Sequence, residues 1–300
     1  MKKVPLILIV ICALAGSVTY FGLLPHSQAT YTPSTLRVGL LPGQSIVRLR
    51  ARFGALLGYL SEETRLEIKF VVATDYSNLL HLFQTHQVDL ARFGGFGFVQ
   101  AYEFYDAEPL VMREVDTRFT SWFLVRSDSA AQNISDMKGK RFAFGSKLST
   151  SGHLMPRYFM NKHQKIIPEN YFSEVRYSGA HYKTVYNIYK GDVDLGVVNP
   201  FVVKTMLEDG RLQEGMLRLL WETPPYSDYV WTVHRILDKN IKAQLLNAFL
   251  ALDLTNEKHK KILEDLNSSG FLPAGAQDFK SLKEISRSLG LLTSESGNAK

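Results

Sequence analysis

Residues 145–156 read Gly-Ser-Lys-Leu-Ser-Thr-Ser-Gly-His-Leu-Met-Pro, four hydroxyls and two glycines just ahead of a helical pattern. Ser149, Thr150 and Ser151 can serve simply as helix caps, a use these residue types have in any protein. The same group can also cradle an anion, because free backbone N–H groups at a helix N-terminus, with hydroxyls beside them, suit a phosphate-like group. Pro156 belongs in a first helical turn, where its missing N–H is harmless, so a helix beginning near Gly152 is expected. That leaves Ser149, Thr150 and Ser151 at its positive end. His181, in Ser-Gly-Ala-His-Tyr, and Asp228, in Pro-Pro-Tyr-Ser-Asp-Tyr-Val-Trp, are further candidates. Each also has a plain reading, as an exposed loop histidine and as a turn residue. What separates the readings is whether they converge on one cleft edge.

Other chemistries fit less well. Ser135-Asp136-Met137-Lys138 is an S-x-x-K tetrad of the kind that carries a serine nucleophile, but no K-T-G partner is present and the stretch reads as a capped polar turn. The eight histidines are dispersed, and His81 and His86 lie five apart rather than four, so no metal spacing emerges. Cys12 is the single cysteine, which excludes a disulfide framework and a cysteine-based metal site or nucleophile. No cofactor motif is evident.

The elements that must position these residues follow from periodicity. Thr35 to Leu41 reads as a buried strand, followed by Pro42-Gly43 and a helical pattern through Leu60. Arg65 to Thr74 alternates as a second strand, Tyr76 to His86 returns to helical spacing, and Val88 to Gly95 is strand-like again. Strand, helix, strand, helix, strand implies a largely parallel α/β sheet. The phrase beginning at Tyr76 recurs from Tyr182, laid over it with one gap: a helix, a short turn, Val-Asp-Leu, then a loop. In open α/β sheets ligands bind beyond the strand C-termini, which is where both loops fall. Further strands are read at 121–129, at 141–145 and in two apolar runs separated by Pro224-Pro225, and the tail is read as amphipathic helix broken near Gly270. The organisation expected is lobe one from 34–118 plus 222–290, lobe two from 119–221, and a flexible 291–300, with crossings near 120 and 230.

Composition sets the surroundings. Three hundred residues with 45% hydrophobic and 12% aromatic content suffice for two globular lobes. Met1-Lys2-Lys3 precedes an uncharged run from Val4 to Leu24, which reads as an export signal or a membrane anchor. Ser27-Gln28-Ala29 offers small residues for cleavage after Ala29, so residues 1–29 form the targeting segment. Either way Lys2 and Lys3 hold the N-terminus inside and the remainder lies outside the cytoplasm. Removing those two lysines takes the net charge from +6 to +4, a balance that fits an anionic ligand, with no basic stripe for nucleic acid.

The order of these elements resembles the periplasmic phosphate/phosphite/phosphonate-binding proteins of ABC transporters, with the type 2 periplasmic-binding fold. The matching stretches are 74–76, 88–94, 149–159, 178–181, 191–196 and 221–231, spread over about residues 35 to 275. The resemblance implies two lobes with two crossover strands at the hinge. It also implies an oxyanion held by Ser149, Thr150, Ser151 and nearby backbone N–H groups, with His181 and Tyr76 completing the shell. Neutral donors can hold a desolvated dianion without a buried Lys or Arg if every oxygen is matched.

Asp228 matches an acidic position that faces the ammonium of aminoalkylphosphonates. This chain departs from those binders, with Asn199-Pro200-Phe201 where a second carboxylate stands and Phe119 where an aromatic hydroxyl is expected. A smaller or less cationic ligand is therefore expected, with Asn199, Phe201 and Asp228 facing its fourth substituent. The partners implied are an ABC permease or, alternatively, a membrane sensor kinase or cyclase, and the chain is expected to be a monomer. An enzyme on the same two-lobed fold, with His181 as base, is the reading from another class.

Overall fold

The computed structural model describes residues 30–41 and 46–293. The targeting segment and residues 294–300 lie outside the described residues. No helix among those described is long and apolar enough to cross a membrane.

In chain order the elements are β1 (Thr35–Leu40), α1 (Ile46–Thr64), β2 (Glu67–Val72), α2 (Tyr76–Gln84), β3 (Leu90–Phe93), α3 (Gly95–Phe104) and β4 (Ala107–Arg113). After a crossing come β5 (Trp122–Arg126), β6 (Arg141–Phe144), α4 (Met155–Gln164), α5 (Pro168–Tyr171), β7 (Glu174–Tyr177), α6 (His181–Tyr189), β8 (Leu195–Val198), α7 (Pro200–Glu208) and β9 (Leu217–Glu222). A second crossing leads to β10 (Val230–His234), α8 (Lys239–Leu250), α9 (Glu257–Asp265), β11 (Phe271–Pro273) and α10 (Lys280–Ser288).

The strands form two mixed sheets, ordered β11-β4-β10-β3-β1-β2 and β7-β6-β8-β5-β9. Each has a parallel trio, β2-β1-β3 in one and β7-β6-β8 in the other, bordered by one antiparallel strand. Those antiparallel strands are β10 and β5, the first strand reached after each crossing. The crossings run side by side: Phe119 and Tyr226 exchange backbone hydrogen bonds at 2.8 and 2.9 Å, and Asp228 N–H donates to the Asp116 carbonyl at 2.9 Å. Helices cover both faces of each sheet, which explains why β8 and β10 are buried along their whole length.

Several local expectations are corrected. The helical coil after the hydroxyl stretch starts at Thr150, two residues before Gly152, as a π-helical turn Thr150–Leu154 that runs into α4. The stretches after β3 and β8, read as loops, are single capping residues followed by α3 and α7. The tail is helical as expected but also supplies β11, which pairs antiparallel with β4. The internal echo needs no gap: α2 and α6 begin at Tyr76 and His181, so Asp89, Gly94 and Phe96 fall on Asp194, Asn199 and Phe201.

The echo rests on one repeated clamp. Arg37 at β1 and Arg141 at β6 each bind an aspartate that precedes the neighbouring strand. Arg37 gives its backbone N–H and Nε to Asp89 Oδ2 at 2.8 and 2.9 Å, and its Nη2 to Oδ1 at 2.6 Å. Arg141 repeats this on Asp194 at 2.8, 3.0 and 2.7 Å. The bidentate geometry fixes each sheet's parallel register and so the point at which its strands end.

Candidate functional site

Five helices begin at the ends of five parallel strands, and each begins with a candidate residue or beside one. Tyr76 opens α2, Gly95 opens α3, Thr150 opens the π-helical turn, His181 opens α6 and Asn199 caps α7. The exposed N–H groups and dipoles of these termini make their meeting place electropositive before any side chain is counted.

Ser149 is the N-cap of the π-helical turn, its Oγ accepting from Gly152 N–H at 2.9 Å. The same oxygen lies 3.3 Å from His181 Nε2. His181 Nδ1 accepts the Asn199 N–H at 3.1 Å, which assigns the proton of a neutral ring to Nε2. The ring is neutral because burial pushes its pKa down to about 4. It is thus a fixed neutral donor rather than the exposed loop histidine of its plain reading. Gly152 is required here, since a Cβ would stand 2.9 Å from both His181 Cε1 and Ser149 Oγ.

Thr150 faces a different way. Its Oγ1 accepts the Phe96 N–H at the start of α3 at 3.0 Å, so the hydroxyl joins the two sheets. Ser151 Oγ is buried and makes no hydrogen bond among the described residues. Asp228 is also buried rather than set in an open turn; its Oδ1 accepts Gly95 N–H at 2.9 Å and its Oδ2 has no hydrogen-bond partner among the described residues. Burial pushes its carboxyl pKa up to about 7, against the pull of Gly95 N–H and the Thr150 hydroxyl. Tyr76 is likewise held well above its ordinary range by burial.

Tyr76, His181, Asn199 and Phe201 line one cleft, while Ser149, Thr150, Ser151 and Asp228 lie behind it at 2% exposure or less. Asn199 Nδ2 donates to the Tyr229 hydroxyl at 2.9 Å. Phe119 packs in an aromatic group, its ring 5.6 Å from Phe201 and 5.5 Å from Tyr229.

The same cleft is lined by Arg52, Arg92 and Arg113, none of which the sequence reading named as a site residue. Arg113 binds Asp116 through Nε and Nη2 at 2.7 and 2.6 Å and gives Nη1 to the Leu266 carbonyl. Arg92 lies with its guanidinium carbon 4.1 Å from the Tyr229 ring centre. Its Nη2 is 3.9 Å from Asp116 Oδ2. The legible signal was Arg92 itself, a charge in an apolar strand whose echo position is Val197. Arg48 of α1 and Asp209, just beyond α7, form an ion pair at 3.0 Å. No group of three His, Cys, Asp or Glu among the described residues could hold a metal ion.

Residues 38–279 match the family described as ABC transporter, phosphonate, periplasmic substrate-binding protein. A relative from Prochlorococcus marinus, "Probable ABC transporter phosphite binding protein PhnD1", is 32% identical over 268 residues, covering 86% of this chain and 90% of its own. The "Phosphate-import protein PhnD" of Mycolicibacterium smegmatis is 26% identical over 230 residues, 72% of this chain and 71% of that protein. The structure of PhnD1 from Prochlorococcus marinus in complex with methylphosphonate superimposes with a TM-score of 0.79 at 30% identity, over 86% of this chain and 99% of that one.

Proposed function

The chain belongs to the periplasmic substrate-binding proteins of phosphonate ABC transporters, and from that premise we propose that it captures phosphite, phosphate or a simple phosphonate between two closing lobes and delivers it to an ABC permease. It works outside the cytoplasm, as its family does. Residues 34–118 with 222–290 form one lobe and residues 119–221 the other, hinged where Phe119 and Tyr226 pair. No bond is made or broken, and the ligand leaves unchanged.

The observation that carries this reading is the His181 ring. Its Nδ1 is occupied by Asn199 N–H, so Nε2–H is aimed beside Ser149 at the mouth of the helix termini. A neutral imidazole N–H, serine hydroxyls and backbone N–H groups donate to an oxyanion without a counter-charge that would have to be neutralised when the site empties. Ser149, Ser151, His181 and Tyr76 hold the oxyanion. Thr150 ties α3 to the cradle, and Asp228, carrying its proton, donates through Oδ2 to a further oxygen. Asn199 and Phe201 face the fourth substituent.

Titration calorimetry of the purified protein with phosphite, phosphate, methylphosphonate, aminoethylphosphonate and sulfate tests the proposal. A bound ligand at a hundredfold excess over its Kd also raises stability by about 2.7 kcal/mol in a thermal melt. Ser149→Ala and His181→Ala each remove a donor to a charged group, for an expected loss of about 10- to 100-fold in affinity. Tighter binding of aminoethylphosphonate than of all the others, or unchanged affinity in both variants, overturns it.

A further inference from the structure

The cleft has a second wall that a bare phosphorus oxyanion does not require. Arg52 from α1, Arg92 from β3 and Arg113 from the end of β4 stand on it beside the rings of Phe53, Phe201 and Tyr229. Arg113 is spent on Asp116 and the Leu266 carbonyl. Arg52 uses only Nε, donated to the Asp265 carbonyl at 3.1 Å. The Arg92 guanidinium makes no hydrogen bond among the described residues; it has the Tyr229 face and the 3.9 Å approach to an Asp116 already bound by Arg113.

Asp116 is the one carboxylate within ion-pair distance of these guanidiniums among the described residues, reached by Arg113 and Arg92. The remaining acid on this side, Asp228, has Oδ1 on Gly95 N–H and no bond to any of the three. The mutual repulsion registers at Arg52, whose pKa burial, Arg92 and Arg113 together push down to about 10. Crowding like charges in a partly buried cleft is costly unless an anion joins them, and the planar fork of Arg matches a carboxylate or phosphate. The cleft holds a cavity of about 70 Å³. At ~10–15 Å³ per water that is room for about five to seven waters, enough for a short carboxylated arm.

We propose that the preferred ligand is a phosphonate whose organic arm ends in a carboxylate, with the phosphonate in the Ser149, Ser151 and His181 cradle and the carboxylate on Arg52 and Arg92. This rests on the phosphorus-oxyanion reading above. The methylene arm runs between the Phe201 and Tyr229 rings, and an ammonium in place of the carboxylate meets the positive charges of Arg52 and Arg92.

Calorimetry of the wild-type protein with methylphosphonate, phosphonoacetate, 3-phosphonopropionate and aminoethylphosphonate provides the test. At least one carboxylated ligand should bind about tenfold or more tighter than methylphosphonate, and Arg92→Met should cost that ligand about tenfold more than it costs methylphosphonate. Arg52→Met should show the same selective loss, and carries the test if Arg92→Met folds poorly by circular dichroism. Equal affinities in the wild-type protein overturn the inference and leave the oxyanion reading standing. Equal losses for both ligands in the variants also overturn it, since the arginines would then serve the phosphoryl end. Binding of none of these four overturns the inference, and failure of phosphite and phosphate as well overturns the oxyanion reading with it.

Discussion

The unit that begins at Tyr76 and the unit that begins at His181 are the same scaffold put to two uses. Both consist of a nine-residue helix, an aspartate clamped by an arginine one strand away, a four-residue strand and a second helix. They part company only beyond the clamp. The first unit carries Arg92, Gly94 and Gly95, presenting charge and bare backbone N–H groups. The second carries Val197, Asn199 and Pro200, presenting neutral side-chain donors. The shared part sets where strands end, and the variable part decides what is presented there. Function could diverge between the two walls because the register did not depend on the residues that changed.

The sharpest break in this comparison comes from adding one methyl group to each wall. Gly152→Ala drives a Cβ against His181 and Ser149 together, and calorimetry should show oxyanion affinity reduced by about 100-fold or more, the loss of two donors at once. Gly94→Ala on the facing wall meets Thr150 Oγ1 at 3.2 Å and Asp228 Oδ1 at 3.3 Å; a loss of only about tenfold is expected because those contacts can yield slightly. Equal losses would mean the two walls grip alike.

The clamps themselves should differ in strength despite matching geometry. Asp89 has 1% of its side chain exposed and Asp194 has 33%. Asp89→Ala should therefore cost about 3 kcal/mol in denaturant unfolding, since it takes a buried acceptor from three Arg37 donors, the backbone N–H among them. Asp194→Ala should cost about 1 kcal/mol or less, because water screens that pair. A larger cost for Asp194→Ala would reverse the assignment of the first unit as the firmer one.

A further difference concerns protons. Asp228 in the folded protein titrates at about 7 against 3.8 for an ordinary aspartate. Between those values the folded state holds a proton that the unfolded chain has released, so this group's contribution to stability falls as pH rises through the window. Asp228→Asn should remove that fall, seen as a shallower decline or a steeper rise of Tm from pH 4 to 7. For binding, the wild-type protein should lose affinity relative to Asp228→Asn as pH rises past about 7, where the carboxyl stops donating and begins to repel. A constant affinity ratio across pH 6 to 8 would remove Asp228 from the oxyanion shell.

Much of this was legible before any coordinates. Alternating strand and helix patterns gave the parallel trios, and the repeated Val-Asp-Leu marked both strands that end at the cleft. The three hydroxyls before Pro156 marked a helix start because capping is local chemistry. What escaped detection was non-local or short. Arg52, Arg92 and Arg113 lie on three different elements, and only the sheet order brings them to one wall. β11 has three residues and ends in Pro273, so no periodicity could announce it. Gly94 and Gly95 read as a loop because glycine usually interrupts helices. Here they stand at a helix start, where the absence of side chains leaves N–H groups open to Asp228 and Thr150.

The Phe96 N–H to Thr150 hydroxyl bond reaches from one sheet to the other without passing through the ligand. In the closure proposed above it forms only after the walls have met, so it adds nothing to first contact and everything to how long the ligand stays. Ligands of different affinity should then share a capture rate and differ in residence time. Stopped-flow measurements would show Thr150→Val shortening the dwell of every ligand by a common factor, the signature of a timer rather than a filter.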